Sequence, residues 1–387
     1  MKYKILSALV IVCMLFVTIV PITAVSEDIE SINSNMSFNC KSALLMEAST
    51  GRVLYEQNPD EALPPASVTK IMTLLLVMEA IEAGKIKYTD MVRASANACS
   101  MGGSQIYLEE NEEMSVEDMI KSVVIASAND AAVALAEHIA GTETAFVEMM
   151  NQKAKALGMK NTNFENTNGL DDTVERHLTS ARDIAIMSRE LIKYPKITEY
   201  SSIWMDSVRN GEFGLTNTNR LIRFYKGATG LKTGSTSKAG FCISATAERD
   251  GMTLICVIMG SPTRDIRNQA AVSLLDYGFA NYTVYKNKGQ ELENIPVVRG
   301  MSPKVDAEYG DFSYVAAKND ISAISSEVLI PDKLEAPVKI GDVLGQVIFK
   351  VGEKEIGKCD IIAKNSVEKL TFSGLLLTFL KKCATMV

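Results

Sequence analysis

The sequence predicts a globular chain with a mixed α and β domain followed by a smaller all-β domain. Strand-hairpin patterns stand near both ends of the first part, and helical patterns with a 3.6-residue period lie between them. Beyond residue 280 the chain has short strand patterns interrupted by Gly, Pro and Asp. With 387 residues, 47% hydrophobic and 22% charged, it is long and apolar enough for two or three folded domains.

Residues 1–24 have the pattern of a secretory signal peptide. Lys2 and Lys4 precede an apolar run over 5–20, and Ile22-Thr23-Ala24 fits a cleavage site. An uncleaved anchor is the alternative, although the small residues near the end of the segment favour cleavage. In either case we expect the body of the protein to work outside the cytoplasm.

Turn and cap residues define the elements of the mixed domain, which we expect to span 38–280. Gly51 and the pair Asp250-Gly251 supply the left-handed conformations that hairpin turns require. Residues 85–113 are rich in Ser, Asn and Gly and are predicted to be irregular. In chain order we predict a hairpin over 42–55, helices over 71–83, 115–124, 131–139, 143–158 and 184–192, a hairpin over 241–259 and a helix over 266–279.

Ser67 and Lys70 stand where the first of these helices begins. Two prolines, Pro64 and Pro65, hold the approach to the helix extended. Lys70 lies three residues after Ser67, so the two side chains share a helix face and can touch. A hydroxyl held against an amine becomes a nucleophile if the amine is neutral. A simple N-cap role for Ser67 is the alternative.

Ser127 and Asn129 fall between two predicted helices. The stretch Ser127-Ala128-Asn129-Asp130 is short and polar where a continuous helix would be apolar, and such side chains compete with helical hydrogen bonds. We therefore predict a tight turn, which either presents Ser127 and Asn129 to a site or is a plain connector.

Lys232, Thr233 and Gly234 come just before the second hairpin pattern. We place Lys232 on or beside the strand next to that hairpin. Gly234 has no side chain, so another backbone can approach this strand closely.

Two segments follow the mixed domain. Residues 281–365 are predicted to form the all-β domain, in which we find no catalytic motif. Residues 366–387 have apolar side chains at helical spacing together with Lys381 and Lys382, but their apolar run is shorter than the roughly 20 residues that span a bilayer. We predict an amphipathic helix in the membrane interface, with a helix packed on the β domain as the alternative.

Composition excludes several classes of partner. The net charge is −7 and no basic patch contains interleaved aromatics, so we expect no nucleic acid. No group of residues has the spacing of a zinc site, and we expect neither a metal nor another cofactor. Cys242 and Cys256 lie in neighbouring predicted strands, where they either face each other or act as small buried apolar residues.

Three short motifs follow one another along the chain: Ser67-x-x-Lys70, then Ser127-x-Asn129, then Lys232-Thr233-Gly234. This set is typical of penicillin-binding proteins and class A β-lactamases. The segments over 166–170 and 177–183 add to the likeness. From about residue 40 to its end, the chain resembles the D-alanyl-D-alanine carboxypeptidase family of low-molecular-mass penicillin-binding proteins.

The resemblance implies a fold, an activity and partners. The fold would be an α/β (α+β) serine transpeptidase or β-lactamase-like domain, with an antiparallel sheet covered by helices and a helical lobe that carries Ser127. The activity would be removal of the terminal D-alanine from peptidoglycan stem peptides through an acyl-serine intermediate, which penicillins trap. The partners would be the stem peptide, β-lactams and the outer face of the cytoplasmic membrane.

Each motif residue then has an expected role. Ser67 is the nucleophile, Lys70 accepts its proton and Ser127 relays a proton to the departing D-alanine. The residues expected to bind substrate are Asn129, Lys232, Thr233 and Gly234.

The chemistry sets requirements on the two lysines. A solvated lysine titrates near 10.4, so burial and the neighbouring ammonium of Lys232 must lower the pKa of Lys70. We expect Lys232 to stay charged and to bind the carboxylate of the substrate. The N–H groups of Ser67 and of a residue just past Gly234 would hold the oxyanion. Either Arg264 or Arg267 assists with the carboxylate, or both are solvated surface residues.

Other protein classes share some of these features. A class A β-lactamase needs a glutamate that activates water, and Glu165 lies between the second and third motifs, although its context fits the carboxypeptidase loop better. A non-catalytic wall-binding or penicillin-sensing protein is disfavoured because every motif residue is present. A Ser-His-Asp hydrolase is disfavoured because neither His138 nor His177 has the setting of a triad, and we predict structural roles for both.

Overall fold

The computed structural model of the chain describes residues 36–376. The signal peptide predicted for 1–24 lies outside the described residues, as do residues 377–387 of the predicted C-terminal helix. The predicted start of that helix is wrong: residues 366–371 are not helical, because Val367 pairs with Val338 and is buried in a core of β-strand residues, and the helix begins at Phe372. Within the described range, no helix combines the length and apolar character needed to cross a bilayer.

A five-stranded antiparallel sheet forms the centre of the first part of the chain. Its order is β2-β1-β9-β8-β7, so β7 lies at one edge. Two small antiparallel pairs, β3 with β4 and β5 with β6, lie outside it. The strands are β1 (Ser42–Glu47), β2 (Val53–Gln57), β3 (Met91–Arg93), β4 (Glu113–Ser115), β5 (Met205–Val208), β6 (Phe213–Thr216), β7 (Ala228–Thr236), β8 (Gly240–Arg249) and β9 (Met252–Ser261).

Helices cover both faces of this sheet. Alternate residues of a strand point to opposite faces, and β9 follows this rule: Val257 packs in the core on one face, and Ile258 packs in the core on the other. The helices are α1 (Lys70–Glu82), α2 (Ala96–Cys99), α3 (Val116–Lys121), α4 (Asn129–Ala140), α5 (Glu143–Ala156), α6 (Ala181–Leu191), α7 (Pro195–Ser201), α8 (Leu221–Phe224) and α9 (Arg264–Asn281). The mixed α and β fold predicted from the sequence is confirmed.

Helix ends follow the cap residues in the sequence. Ser115 Oγ accepts a hydrogen bond from the N–H of Asp118 and begins α3, as its spacing predicts. Ser180 and Thr263 cap α6 and α9 in the same way. Gly84, with φ +68°, lies just past the end of α1, where the sequence places it.

The all-β part has its own core. Its strands form a six-stranded sheet of order β14-β16-β17-β12-β11-β15 and a separate pair of β10 with β13. The guanidinium of Arg52 donates to the carbonyl of Val315 at 2.5 Å and so ties this part to the first sheet. The strands are β10 (Tyr282–Asn287), β11 (Glu291–Val298), β12 (Lys304–Glu308), β13 (Phe312–Ala317), β14 (Ile324–Leu329), β15 (Leu334–Glu335), β16 (Val343–Val351) and β17 (Lys354–Ala363).

One local expectation differs from the structure, and one pair of alternatives is resolved by it. Residues 85–113 are not entirely irregular, because they contain β3 and α2. A strand of three residues is too short to show a period of its own, and β3 exists through its pairing with β4. For Cys242 and Cys256 the second alternative is confirmed: both are small buried residues, and they do not face each other, because one thiol lies in the core on each face of the sheet. Burial raises the pKa of both thiols, that of Cys242 to about 11, and both are unpaired.

Candidate active site

Ser67 and Lys70 are in direct contact at the start of α1. A single 3-10 turn, Ala66–Thr69, runs into the helix, and Lys70 is the first helical residue. Lys70 Nζ lies 2.8 Å from Ser67 Oγ. Thr69, not Ser67, occupies the N-cap position of α1. The simple N-cap alternative for Ser67 is therefore wrong, and its hydroxyl instead pairs with the amine.

The amine of Lys70 has two further partners, and both are acceptors. Nζ donates to Asn129 Oδ1 at 2.5 Å and to the backbone carbonyl of Asn168 at 2.8 Å. A carbonyl oxygen has no proton to give, so these two contacts always use N–H groups of the lysine. A neutral amine has two N–H groups and one lone pair, and the lone pair is then left facing the Ser67 hydroxyl.

The surroundings of Lys70 favour this neutral form. Its side chain is fully buried. Burial lowers the pKa of Lys70 well below its usual value, the charge of Lys232 lowers it further, and the carboxylate of Asp130 acts in the opposite direction.

Ser127 and Asn129 lie on the predicted turn between two helices. The segment Ser122–Ala126 forms a π-helical turn, and Ser127 follows it with φ +65° in the left-handed region. Asn129 then begins α4, and its amide Nδ2 donates to the carbonyl of Gly102 at 2.7 Å. Asn129 therefore holds both Lys70 and the loop in front of the site, so it is more than a connector. Ser127 is buried, and its hydroxyl forms no hydrogen bond with another residue of the described range.

The third motif lies on the edge strand β7, directly against the Ser67 turn. A Cβ added at Gly234 would lie 2.7 Å from the backbone nitrogen of Ser67 and 2.9 Å from the carbonyl oxygen of Pro65. Any side chain at this position would push the two segments apart. Thr233 Oγ1 donates to Thr218 Oγ1 at 2.8 Å, which fixes the hydroxyl beside the strand edge.

Lys232 is buried next to this edge. The sequence predicts that it stays protonated, but its surroundings lower its pKa. Its Nζ donates to the carbonyl of Thr233 at 2.8 Å. Burial, assisted by the charge of Arg267, lowers the pKa of Lys232 to about 7. At neutral pH the ammonium and amine forms are thus both populated, and a bound carboxylate would favour the ammonium.

Arg267 is an internal residue, not a solvated one. Only 3% of it is exposed, and Nη1 donates to the carbonyl of Cys242 at 3.2 Å while Nε and Nη2 donate to Asn268. Burial, assisted by the charge of Arg264, lowers the pKa of Arg267 to about 10. Its electrostatic effect on Lys232 is a role that sequence reasoning did not find.

The loop before α6 supplies groups that the three motifs do not include. Asn166 Oδ1 accepts from the N–H of Gly169 at 2.7 Å, and this turn places the carbonyl of Asn168 against Lys70. The sequence signals for this loop were its Asn- and Gly-rich composition and the family likeness of the segment over 166–170. Glu165 is exposed and its carboxylate accepts from the N–H of Arg176 at 2.8 Å. Over 36–376 no group of three or more His, Cys, Asp or Glu residues could hold a metal ion.

Comparison with known protein families gives two matches. A family model described as D-alanyl-D-alanine carboxypeptidase matches residues 29–263. A second model, described as penicillin-binding protein 5, C-terminal domain, matches residues 279–369.

Individual relatives agree with these matches. The D-alanyl-D-alanine carboxypeptidase DacF of Bacillus subtilis is 41% identical over 98% of this chain and 97% of its own length. The solved structure of penicillin-binding protein 5 from Haemophilus influenzae is 33% identical, covers 86% of this chain and 99% of its own, and superposes with a TM-score of 0.77. The solved structure of penicillin-binding protein D2 from Listeria monocytogenes in its ampicillin-bound form is 31% identical in sequence. It covers 63% of this chain and 99% of its own chain, with a TM-score of 0.59.

Proposed function

The chain belongs to the D-alanyl-D-alanine carboxypeptidase family, a family of serine hydrolases, and from this we propose that Ser67 attacks the terminal peptide bond of peptidoglycan stem pentapeptides. The bond between the last two D-alanine residues breaks, D-alanine leaves, and an acyl ester on Ser67 remains until water removes it. The observation that carries the proposal is the contact of the buried Lys70 amine with Ser67 Oγ. The family resemblance inferred from the three motifs is confirmed.

Lys70 is the proposed base. Its two obligatory N–H donations, to Asn129 and to Asn168, aim the remaining lone pair at Ser67 Oγ. The proton moves from the hydroxyl to this amine as Oγ bonds to the carbonyl carbon of the substrate. Burial and the nearby charge of Lys232 both lower the pKa of Lys70, which favours the neutral amine that this proton transfer requires.

Ser127 is the proposed route for the proton to the leaving group. The departing D-alanine nitrogen needs a proton, and Lys70 holds one after the attack. The Ser127 hydroxyl is buried and has no hydrogen-bond partner in the described part of the chain, so it is available to bridge the amine and the substrate nitrogen. Asn129 is proposed to hold the substrate amide as well as Lys70.

The edge of β7 is the proposed substrate track. An extended peptide can add to a free strand edge through backbone hydrogen bonds, and the absence of a side chain at Gly234 lets the Ser67 turn lie directly against this edge. Its terminal carboxylate would then meet the ammonium of Lys232 and the hydroxyl of Thr233. The oxyanion would be held by the N–H of Ser67 and that of the residue after Gly234.

Release of D-alanine tests the activity itself. The protein is incubated with a stem pentapeptide and, as control, with the tetrapeptide that lacks the last D-alanine. The account predicts one equivalent of D-alanine from the pentapeptide and none from the tetrapeptide. Rapid turnover of penicillin without D-alanine release would instead support a β-lactamase, and neither reaction would support a non-catalytic wall-binding protein.

The pKa of Lys232 predicts the alkaline limb of the pH profile. Lys232 is cationic below about pH 7 and neutral above it, so kcat/KM for a peptide ending in a carboxylate is expected to fall as pH rises past about 7. The matched control is the same peptide with its terminal carboxylate amidated, for which this limb is expected to be weak. Equal falls for both peptides would contradict carboxylate binding by Lys232.

We also propose that the chain acts on the outer face of the cytoplasmic membrane, with residues 1–24 as signal peptide and the end of the chain from Phe372 onward as anchor. The catalytic domain would be 38–280 and the all-β domain 281–365. Residues 372–376 are helical, and 84% of Phe372 is exposed. An exposed phenylalanine next to further exposed apolar residues, Leu375 and Leu376, supports contact with lipid.

Replacing Phe372 is expected to weaken membrane binding. The Phe372→Ser variant should bind vesicles that contain anionic lipid about 10- to 150-fold more weakly, because burial of a phenylalanine contributes roughly 1.5–3 kcal/mol. The matched control is Phe224→Ser, since Phe224 is also largely exposed, at 73%, but lies on α8. Vesicle flotation measures both variants. Equal binding of Phe372→Ser, Phe224→Ser and the unchanged chain would contradict the anchor.

A further inference from the structure

The peptide bond just before Ser67 is held in an uncommon conformation. Ala66 has φ +50°, which is rare for a residue with a side chain. Its carbonyl oxygen accepts a hydrogen bond from Thr69 Oγ1 at 2.8 Å. Gly169 packs against the same oxygen so closely that a Cβ there would lie 1.9 Å from it. The carbonyl is therefore fixed toward the inside of the domain.

This orientation decides where the N–H of Ser67 points. The C=O and the N–H of a trans peptide point in opposite directions. With the Ala66 carbonyl turned inward, the N–H of Ser67 faces the other way, and the Ser67 nitrogen is the atom nearest to the place that a Cβ on Gly234 of β7 would occupy. This N–H donates to no acceptor within residues 36–376. It is thus a free donor beside the strand edge, as an oxyanion-binding group must be.

His177 completes the chain of hydrogen bonds behind this peptide. Only 3% of His177 is exposed. Its Nδ1 accepts from the backbone N–H of Glu165 at 3.0 Å, and its Nε2 lies 2.7 Å from Thr69 Oγ1. A backbone N–H can only donate, so a neutral ring has its proton on Nε2 and donates it to Thr69. The Thr69 hydroxyl then has its own proton free for the carbonyl of Ala66.

The charge state of His177 is compatible with this direction. Burial lowers the pKa of His177 to about 4, while the carboxylates of Glu165 and Asp171 act in the opposite direction. The ring is neutral at any pH near neutrality, so the hydrogen bonds run one way, from Glu165 through His177 and Thr69 to Ala66.

We propose that His177 is a positioning residue for acylation: through Thr69 it fixes the Ala66–Ser67 peptide and thereby aims the N–H of Ser67 at the oxyanion. The inference rests on the proposed role of Ser67 as nucleophile. His177 touches no reacting atom. Its contribution is to prevent rotation of the Ala66–Ser67 peptide plane, which would exchange the directions of the Ala66 carbonyl and the Ser67 N–H.

Two variants of the histidine separate this role from a merely structural one. In His177→Gln the amide nitrogen can occupy the place of Nε2 and keep the donation to Thr69. In His177→Asn the amide reaches only the place of Nδ1, which keeps the bond from Glu165 and loses that to Thr69. Both variants remove the ring from the same buried position, so a loss of packing alone would affect them alike.

The readout is acylation by a fluorescent penicillin, resolved into a binding constant and a first-order acylation rate. Removing an oxyanion donor typically costs about 100- to 1,000-fold in rate, so a misdirected donor is expected to cost about 10- to 100-fold. His177→Asn should show this fall in the acylation rate with little change in the binding constant. His177→Gln should stay within about threefold of the unchanged chain.

Thr69 offers an independent pair. Thr69→Val has the same shape but neither donates nor accepts, and it is expected to match His177→Asn. Thr69→Ser keeps the hydroxyl and is expected to match His177→Gln. All rates are measured well below the melting temperature of each variant, so that a lower stability does not count as a lower rate.

The outcomes are separable. Equal acylation rates within either pair, whether both fast or both slow, would overturn the positioning role of His177. If the unchanged chain itself failed to acylate, the proposed function would fall instead, and the comparison of variants would show no rate at all.

Discussion

The Ser67→Ala variant is expected to lose all covalent labelling by fluorescent penicillin and all D-alanine release. The acyl ester forms on Ser67 Oγ, which this change removes, and no other hydroxyl in the described range contacts the Lys70 amine. Triad-type sites keep little activity when the nucleophile is lost, so the expected fall exceeds about 1,000-fold. Labelling is measured on a gel after denaturation, which reports the covalent adduct alone.

The matched control is Ser202→Ala. Ser202 is an exposed serine whose hydroxyl donates to the carbonyl of Glu199, far in sequence from every motif. This variant should label at the normal rate. Persistent labelling of Ser67→Ala would reject the nucleophile, whereas loss of labelling in both variants would indicate a general failure to fold.

The two buried lysines are expected to respond differently to alanine. Lys70→Ala should reduce the acylation rate by about 100- to 10,000-fold, which is the usual contribution of a positioned base. Lys232→Ala should act mainly on KM for the peptide, by roughly tenfold or more, because a hydrogen bond to a charged group contributes about 1.5–3 kcal/mol. Steady-state kinetics with the pentapeptide and acylation by penicillin measure the two effects.

The pH profile adds a second signature for Lys232→Ala. The charge of Lys232 lowers the pKa of Lys70, so removing it raises that pKa. Lys70 is active when neutral, and the acid limb of the profile should therefore move to higher pH. Lys193→Ala, a change of an exposed lysine that pairs with Glu190, is the control and should leave the profile in place. Equal and mild losses in Lys70→Ala and Lys232→Ala would contradict the division of roles.

Most elements of the fold could be predicted because local residues determine them. The hairpin of β8 and β9 follows from the pair Asp250-Gly251, both of which have positive φ in the structure. The start of α3 follows from Ser115, whose hydroxyl makes the expected cap. The order of the three motifs, together with the segments over 166–170 and 177–183, was enough to indicate the family, since each motif residue brings its own chemistry.

The remaining features depend on tertiary contacts that no local pattern contains. The third acceptor of Lys70 is the backbone carbonyl of Asn168, and a carbonyl is present at every residue. The pKa of Lys232 near 7 depends on burial and on Arg267, which comes from α9 after the hairpin. The separation of Cys242 from Cys256 depends on the register of β8 against β9, which shifts between Phe241 and Ile243.

His177 shows the same limit for a single residue. Its sequence context does not match that of a catalytic triad, and the sequence therefore predicts a structural role. The structure shows that its two ring nitrogens join Glu165 to Thr69 beside the nucleophile turn. The contact between Thr69 and His177, which are about 100 residues apart in the sequence, exists only in the folded chain, so the role of His177 could not be predicted from local sequence.

The central claim is that Ser67 becomes covalently acylated with the help of Lys70. Mass spectrometry of the proteolysed chain after treatment with penicillin G tests it most directly. The account predicts one added penicilloyl group, located on Ser67 in the peptide that contains Lys70. An adduct on another residue, or no adduct in a chain that releases D-alanine, would contradict it.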